Sequence, residues 1–259
     1  MSRRAGASAL VLLVLAGATL ARAEVVQRGN LRITLRSQVL PYKLPRTGTA
    51  PVAVFLAGHI ATPSGALPPQ LQKMTVRVNR HGLLQSRGLP SCTLREVKTT
   101  STTRALGLCS DSLVGSGRFW ASIVLPDQRP YPTRGRLLVF NGRKDRSRVL
   151  FAHIYTTLPF TSSFVITFAI RRIDERPYGT ELSASLPQAL GNWGFVDRIK
   201  LTLRRKYLYR GTRLSYFNAG CPAPSGANVT AYPLARASFD FAGVREISLN
   251  VNKSCGVRE

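Results

Sequence analysis

Apolar side chains in this chain recur at every second position. Leu31, Ile33 and Leu35 alternate with Arg32, Thr34 and Arg36; Met74, Val76 and Val78 alternate with Thr75, Arg77 and Asn79; and Ile199, Leu201 and Leu203 alternate with Lys200, Thr202 and Arg204. A period of two puts successive side chains on opposite faces of an extended strand, one buried and one in water. No sustained helical period competes with it. Pro41, Pro45, Pro51, Pro63, Pro68 and Pro69 divide the first half into short segments that cannot be helix interiors. A more evenly apolar run at residues 52–60 suits a central strand, and residues 164–173 read as a strongly apolar strand. Residues 137–140 and 149–155 read as a hairpin around the basic segment 141–148. Residues 181–190 are the one stretch where a short helix fits, and Pro187 cuts it. The polar run 98–104 (KTTSTTR) reads as a mobile loop or an exposed β edge. The expected class is all-β with little helix.

The N-terminus carries Arg3 and Arg4, an apolar run over residues 5–20, then Ala21-Arg22-Ala23. Those are the three parts of a secretory signal peptide over residues 1–23, which places the mature start at Glu24. The run is too short, and too diluted by Gly, Ser and Thr, to span a bilayer, and no later run is longer, so no transmembrane span is expected. This implies an exported chain destined for the cell envelope or the extracellular space. Four cysteines in such a chain read as two disulfides. Of three connectivities, nearest-neighbour pairing of Cys92 with Cys109 and Cys221 with Cys255 is favoured. Wide cysteine spacing and three scattered histidines, His59, His81 and His153, do not make a metal site.

Two segments share an order. Leu67-Pro68-Pro69-Gln70 to Cys92 and Leu186-Pro187-Gln188 to Cys221 each run from a Pro-Gln step through an alternating strand and a basic turn to a cysteine. This suggests an internal duplication: β-sandwich-like halves at residues 24–145 and 146–259, one disulfide in each, packed separately or as one continuous domain. At Asn79-Arg80-His81-Gly82, Gly88-Leu89-Pro90-Ser91-Cys92, Leu113-Val114-Gly115-Ser116-Gly117, Trp193-Gly194-Phe195 and Ala219-Gly220-Cys221-Pro222-Ala223-Pro224, the chain resembles a family of exported bacterial proteins with no established function. The resemblance covers most of the mature chain and implies export, without an activity or a site.

Lys and Arg number 37 against 12 Asp and Glu, a formal charge of +25, and only seven of the cations are lysine. Arginine forks suit carboxylate and phosphate. The densest clusters are Arg134 and Arg136 with Arg143, Lys144, Arg146 and Arg148, and Arg204, Arg205 and Lys206 with Arg210 and Arg213. These are the candidate contacts for a polyanion. Tyr207 and Tyr209 interleave with the second cluster and are expected to point into the core. Neither G-x-S-x-G nor H-E-x-x-H occurs, and His81 reads as a turn residue, so no catalytic residue, cofactor or metal ligand is assigned. The leading expectation is a non-catalytic binding or structural module of the envelope that engages an anionic polymer or a membrane surface. The alternative is a secreted hydrolase acting on an envelope polymer through dispersed acids such as Asp111, Asp174, Glu175, Asp197 and Asp240. Physiological nucleic-acid binding is disfavoured by export and by the missing motifs. Carboxylates converging in a cleft, with each other or with His81 or His153, would favour the enzyme; aligned Arg rows on a convex surface would favour binding.

Overall fold

The computed structural model describes residues 23–98, 101–158, 160–186 and 194–258. The expected signal peptide, apart from Ala23, lies outside them, as do Pro187 and Trp193. In chain order the elements are β1 (Ala23–Arg28), β2 (Leu31–Leu40), β3 (Lys43–Pro45), β4 (Ala50–Pro51), β5 (Ala53–Ala61), β6 (Leu71–Asn79), β7 (Gly82–Leu84), α1 (Leu94–Val97), α2 (Thr102–Cys109), β8 (Leu113–Ile123), β9 (Tyr131–Lys144) and β10 (Ser147–Thr156). They continue with β11 (Ser162–Glu175), β12 (Tyr178–Ser185), β13 (Gly194–Leu203), β14 (Lys206–Tyr209), β15 (Thr212–Ser215), β16 (Phe217–Ala219), β17 (Val229–Phe241) and β18 (Val244–Arg258).

Thirteen of the strands hydrogen-bond into one sheet, in the order β1, β2, β5, β13, β8, β9, β10, β11, β12, β6, β17, β18, β3. The sheet curls until its ends touch. Asn252 N–H donates to Glu24 Oε1 at 3.1 Å, Arg28 Nη1 donates to the Glu246 carbonyl at 3.2 Å, and Lys253 Nζ reaches the Ser37 carbonyl. Inward residues of the curl form the largest core, with Val54, Val78, Phe119, Leu137, Ile154 and Leu234 among its members. A smaller cluster, including Ile33, Phe239 and Ile247, fills the junction where β2 and β5 meet β17 and β18. Apolar inside and charged outside is the reverse of a membrane-spanning barrel, whose outer band faces lipid.

All-β architecture and both disulfides agree with the sequence: Cys92–Cys109 and Cys221–Cys255 each hold Cα atoms 5.7 Å apart. The two halves do not form separate sandwiches. β13 lies between β5 and β8, and β6 lies between β12 and β17, so strands from residues 24–145 and 146–259 interleave in one sheet. A strand buried in the middle of a sheet needs a partner on each edge, and here the partners come from the other half.

Two local expectations are corrected. Residues 181–185 are strand, in register with β6 through Glu181 opposite Arg77 and Ser183 opposite Thr75. Helix appears instead at α1 and α2. Thr93 and Glu96 make a capping box, with the Thr93 N–H donating to Glu96 Oε2 at 2.7 Å. Ser101 caps α2 by accepting from Arg104 N–H at 3.3 Å, so residues 102–104 of the polar run are its first turn. The helices bury Val97 and Ala105 on Leu138, Phe140, Val149 and Phe151, the outward residues of β9 and β10. That cover explains why residues 137–140 and 149–152 are apolar on both faces. The hairpin itself is longer than expected, zipping to a two-residue turn at Asp145 and Arg146.

One end of the curl is closed. There β7, β4 and β16 form a small sheet, the β14–β15 hairpin packs beside it, and Cys221–Cys255 ties the cover to β18. At the other end an apolar cavity of about 60 Å³ lies among Phe119, Ala121, Phe164, Ile166, Leu186 and Val196.

Candidate polyanion-binding face

The outer surface of β9, β8, β13, β5 and β2 carries the arrangement of most functional interest. Register sets Arg136 opposite Arg118, Arg118 opposite Lys200, Lys200 opposite Ala57, and Ala57 opposite Arg36. Tyr155 on β10 extends this row beyond Arg136. Two residues along, a second row holds Arg134, Trp120, Arg198, His59 and Thr34. Adjacent strands lie about 4.8 Å apart, so the first row places three cations on three consecutive strands at that interval. Alternation forces this direction on them. Phe119 and Ala121 point into the core, which sends Arg118 and Trp120 outward.

Arg118, Arg134, Arg136, Arg198 and Lys200 are exposed, and among the described residues none of them is ion-paired. The Arg198 guanidinium lies 5.9 Å from the centre of the half-buried Trp120 ring. No acid occupies either row; Asp197 sits at the bulge between Val196 and Arg198, out of register. The close approach of β8 to β13 depends on Gly117, where a Cβ would fall 1.8 Å from the Lys200 carbonyl oxygen. Like charges held this close repel one another and favour a polyanion that neutralises several at once.

The sequence clusters are distributed differently. Arg134 and Arg136 belong to this face. Arg143, Lys144 and Arg146 lie around the far tip of the same hairpin, where seven residues of strand separate Arg136 from Arg143 by about 24 Å. Arg148 is exposed but engaged, its Nη2 donating to the Leu84 carbonyl at 2.9 Å. In the second cluster Arg205 donates to the Asp111 carbonyl at 3.2 Å, while Lys206, Arg210 and Arg213 are exposed on the β14–β15 hairpin with Leu208 and Arg204 nearby in sequence. Tyr207 and Tyr209 do turn toward the body. The Tyr207 hydroxyl donates to the Gln85 carbonyl at 3.2 Å, and the Tyr209 ring covers Gly88. Both clusters therefore have members committed to internal contacts, whereas the cations of the sheet face are free to meet a ligand.

Among the described residues the acids of the alternative reading are engaged largely with cations. Asp174 pairs with Arg80, and Glu175 pairs with Arg77 at 3.1 Å. Glu181, 4% exposed, accepts from Arg77 Nε at 3.0 Å and from Arg171. Burial opposes its charge, but the hydrogen bonds from Arg171 and Arg77 outweigh that and hold its pKa below the ordinary carboxylate value. Asp240 lies opposite Lys73. His81 serves a turn, its N–H donating to Asn79 Oδ1 at 3.0 Å and its ring 6.4 Å from Tyr232. His153 is fully buried under the helices, with Nε2 3.5 Å from Ser163 Oγ. Glu96 approaches Cys92 and Cys109, but disulfide sulfurs do not ligate a metal. The end cavity is lined without a charged group. The cations of both rows, Arg136, Arg118 and Lys200 in one and Arg134 and Arg198 in the other, lie on the outside of the curled sheet.

Among the described residues no helix is long and apolar enough to cross a membrane, and the two disulfides point to an oxidising compartment. Comparison with known protein families, curated proteins and solved structures gives no match.

Proposed function

We propose that this protein is an exported, non-catalytic binding module of the cell envelope that engages an anionic polymer through the outer face of β9, β8, β13, β5 and β2. The observation that carries the reading is the register row of Arg136, Arg118 and Lys200, unpaired by acids and backed by Arg134 and Arg198. Export rests on the leader pattern of residues 1–23 and is supported by the disulfides. Affinity in such a site comes from charge neutralisation and release of counterions, so it falls steeply with added salt. Arginine forks add bidentate contacts to carboxylate or phosphate.

The test is retention of the mature chain on immobilised anionic polymers at low and at high salt. Binding at low salt that is released by salt, and weakened by the combined substitutions Arg118→Gln, Arg136→Gln and Lys200→Gln, is expected. Retention that ignores salt, or none at low salt, removes the reading.

A further inference from the structure

The same face is more specific than a charge patch. Building on the polyanion reading, we infer that its polymer is an acidic polysaccharide bearing a carboxylate on successive sugars, with Trp120 as the platform for one sugar ring.

Three features point there. Cations stand on consecutive strands, Arg136, Arg118 and Lys200, at the sheet's own interval of about 4.8 Å. An extended glycan running across the strands advances about one hexose per interval, which brings its uronates within reach of the cation row. Successive phosphates of polyphosphate share a bridging oxygen and lie closer than this; those of a nucleic acid are separated by a sugar and lie farther apart. Next, Trp120 lies between Arg134 and Arg198 in the adjoining row, half-buried, with the Arg198 guanidinium 5.9 Å from its ring centre. A pyranose presents an apolar C–H face that an aromatic ring covers, and inorganic polyphosphate has no such face. Tyr155, at the end of the first row, offers a second ring one strand beyond Arg136. Finally, four of the five cations around Trp120 are arginines, whose planar forks match a carboxylate bidentately. Bases of a single-stranded nucleic acid also stack on aromatic rings, which makes that polymer the competing outcome.

The experiment is a fluorescence titration of the mature chain carrying Trp193→Phe, so that Trp120 alone reports. Oligogalacturonate, polyphosphate and single-stranded DNA of equal charge are compared at one ionic strength. Expected are a change in Trp120 emission with oligogalacturonate and an affinity at least about tenfold above that for polyphosphate or DNA. In the chain with Trp193 retained, Trp120→Ala is expected to weaken the glycan about fivefold to tenfold by calorimetry and leave polyphosphate within about twofold. Trp120→Phe, which keeps the bulk should the alanine variant fail to fold, is expected to retain most of the glycan affinity. Equal affinity for all three polymers with no Trp120 effect overturns the glycan assignment while leaving polyanion binding standing. Preference for DNA overturns it in favour of nucleic acid. Binding of none overturns both this inference and the reading beneath it.

Discussion

Replacing Glu181 by Gln isolates one buried charge in an otherwise exposed polar surface. Glu181 is 4% exposed and its carboxylate is held by Arg77 Nε at 3.0 Å and by Arg171, while Arg77 keeps a second partner in Glu175 at 3.1 Å. Breaking a fully buried pair costs about 3–5 kcal/mol, because a charge is stranded in a medium that solvates it poorly. A surface pair is worth about 0–1 kcal/mol. Here the acid is buried, but the Arg171 side chain is 66% exposed and re-enters water, and Arg77, 34% exposed, retains Glu175. The expected loss lies between the limits, at about 2 kcal/mol. Urea unfolding at neutral pH reads it as a lower midpoint with an unchanged slope. The pH dependence has a fixed sign. Arg171 and Arg77 hold the folded pKa of Glu181 below its unfolded value despite burial, so its contribution is complete above the unfolded carboxylate pKa and is lost as pH falls through the folded one. The gap between the two proteins should therefore be widest near neutrality and close on acidification. A gap below about 0.5 kcal/mol, or one constant with pH, refutes the assignment of Glu181 as a net stabilising ion-pair centre.

Removing Cys221 and Cys255 together, as a double Ala variant, should cost about 3–4 kcal/mol in a denaturant titration, since the bridge closes a loop of sequence separation 34. Gly117→Ala should destabilise by about 3 kcal/mol and broaden amide exchange along β8 and β13, because its Cβ would overlap the Lys200 carbonyl; a neutral effect would contradict the close strand approach. Val97→Ala, at a side chain with no exposure beneath α1, should cost about 2 kcal/mol by thermal or urea unfolding.

How much is legible in the residues alone depends on how far apart the interacting partners lie. Alternation at Leu31, Ile33 and Leu35 marks β2 because it is a local property of the chain. Nearest-neighbour pairing of the cysteines succeeds because both bridges close short loops. The helices escape a reading based on apolar period, which eight residues cannot sustain; Thr93-x-x-Glu96 and the Ser101 cap are the available signals. The interleaving of the two halves in one sheet rests on long-range pairing. Nothing local says that β13 enters between β5 and β8, placing Arg198 opposite His59 on one side and Trp120 on the other. For that reason Arg118, Trp120, Arg198 and Lys200 do not stand out in the sequence. Each is an isolated side chain there, and only register brings them beside Arg134 and Arg136. Conversely, the run from Arg134 to Arg148 looks like one cluster on paper and is divided between the two ends of a long hairpin.

The slope of log affinity against log salt for an anionic polymer tests the central claim most directly. Each cation that neutralises a charge on a flexible single-stranded polyanion contributes about 0.7 to that slope. Substituting Arg118, Arg136 and Lys200 by Gln should flatten it by about 2, whereas the same change at Arg143, Arg146 and Arg210, which lie off the face, should leave it unaltered. Equal flattening by the two triple variants, or flattening only by the second, would contradict binding through this face.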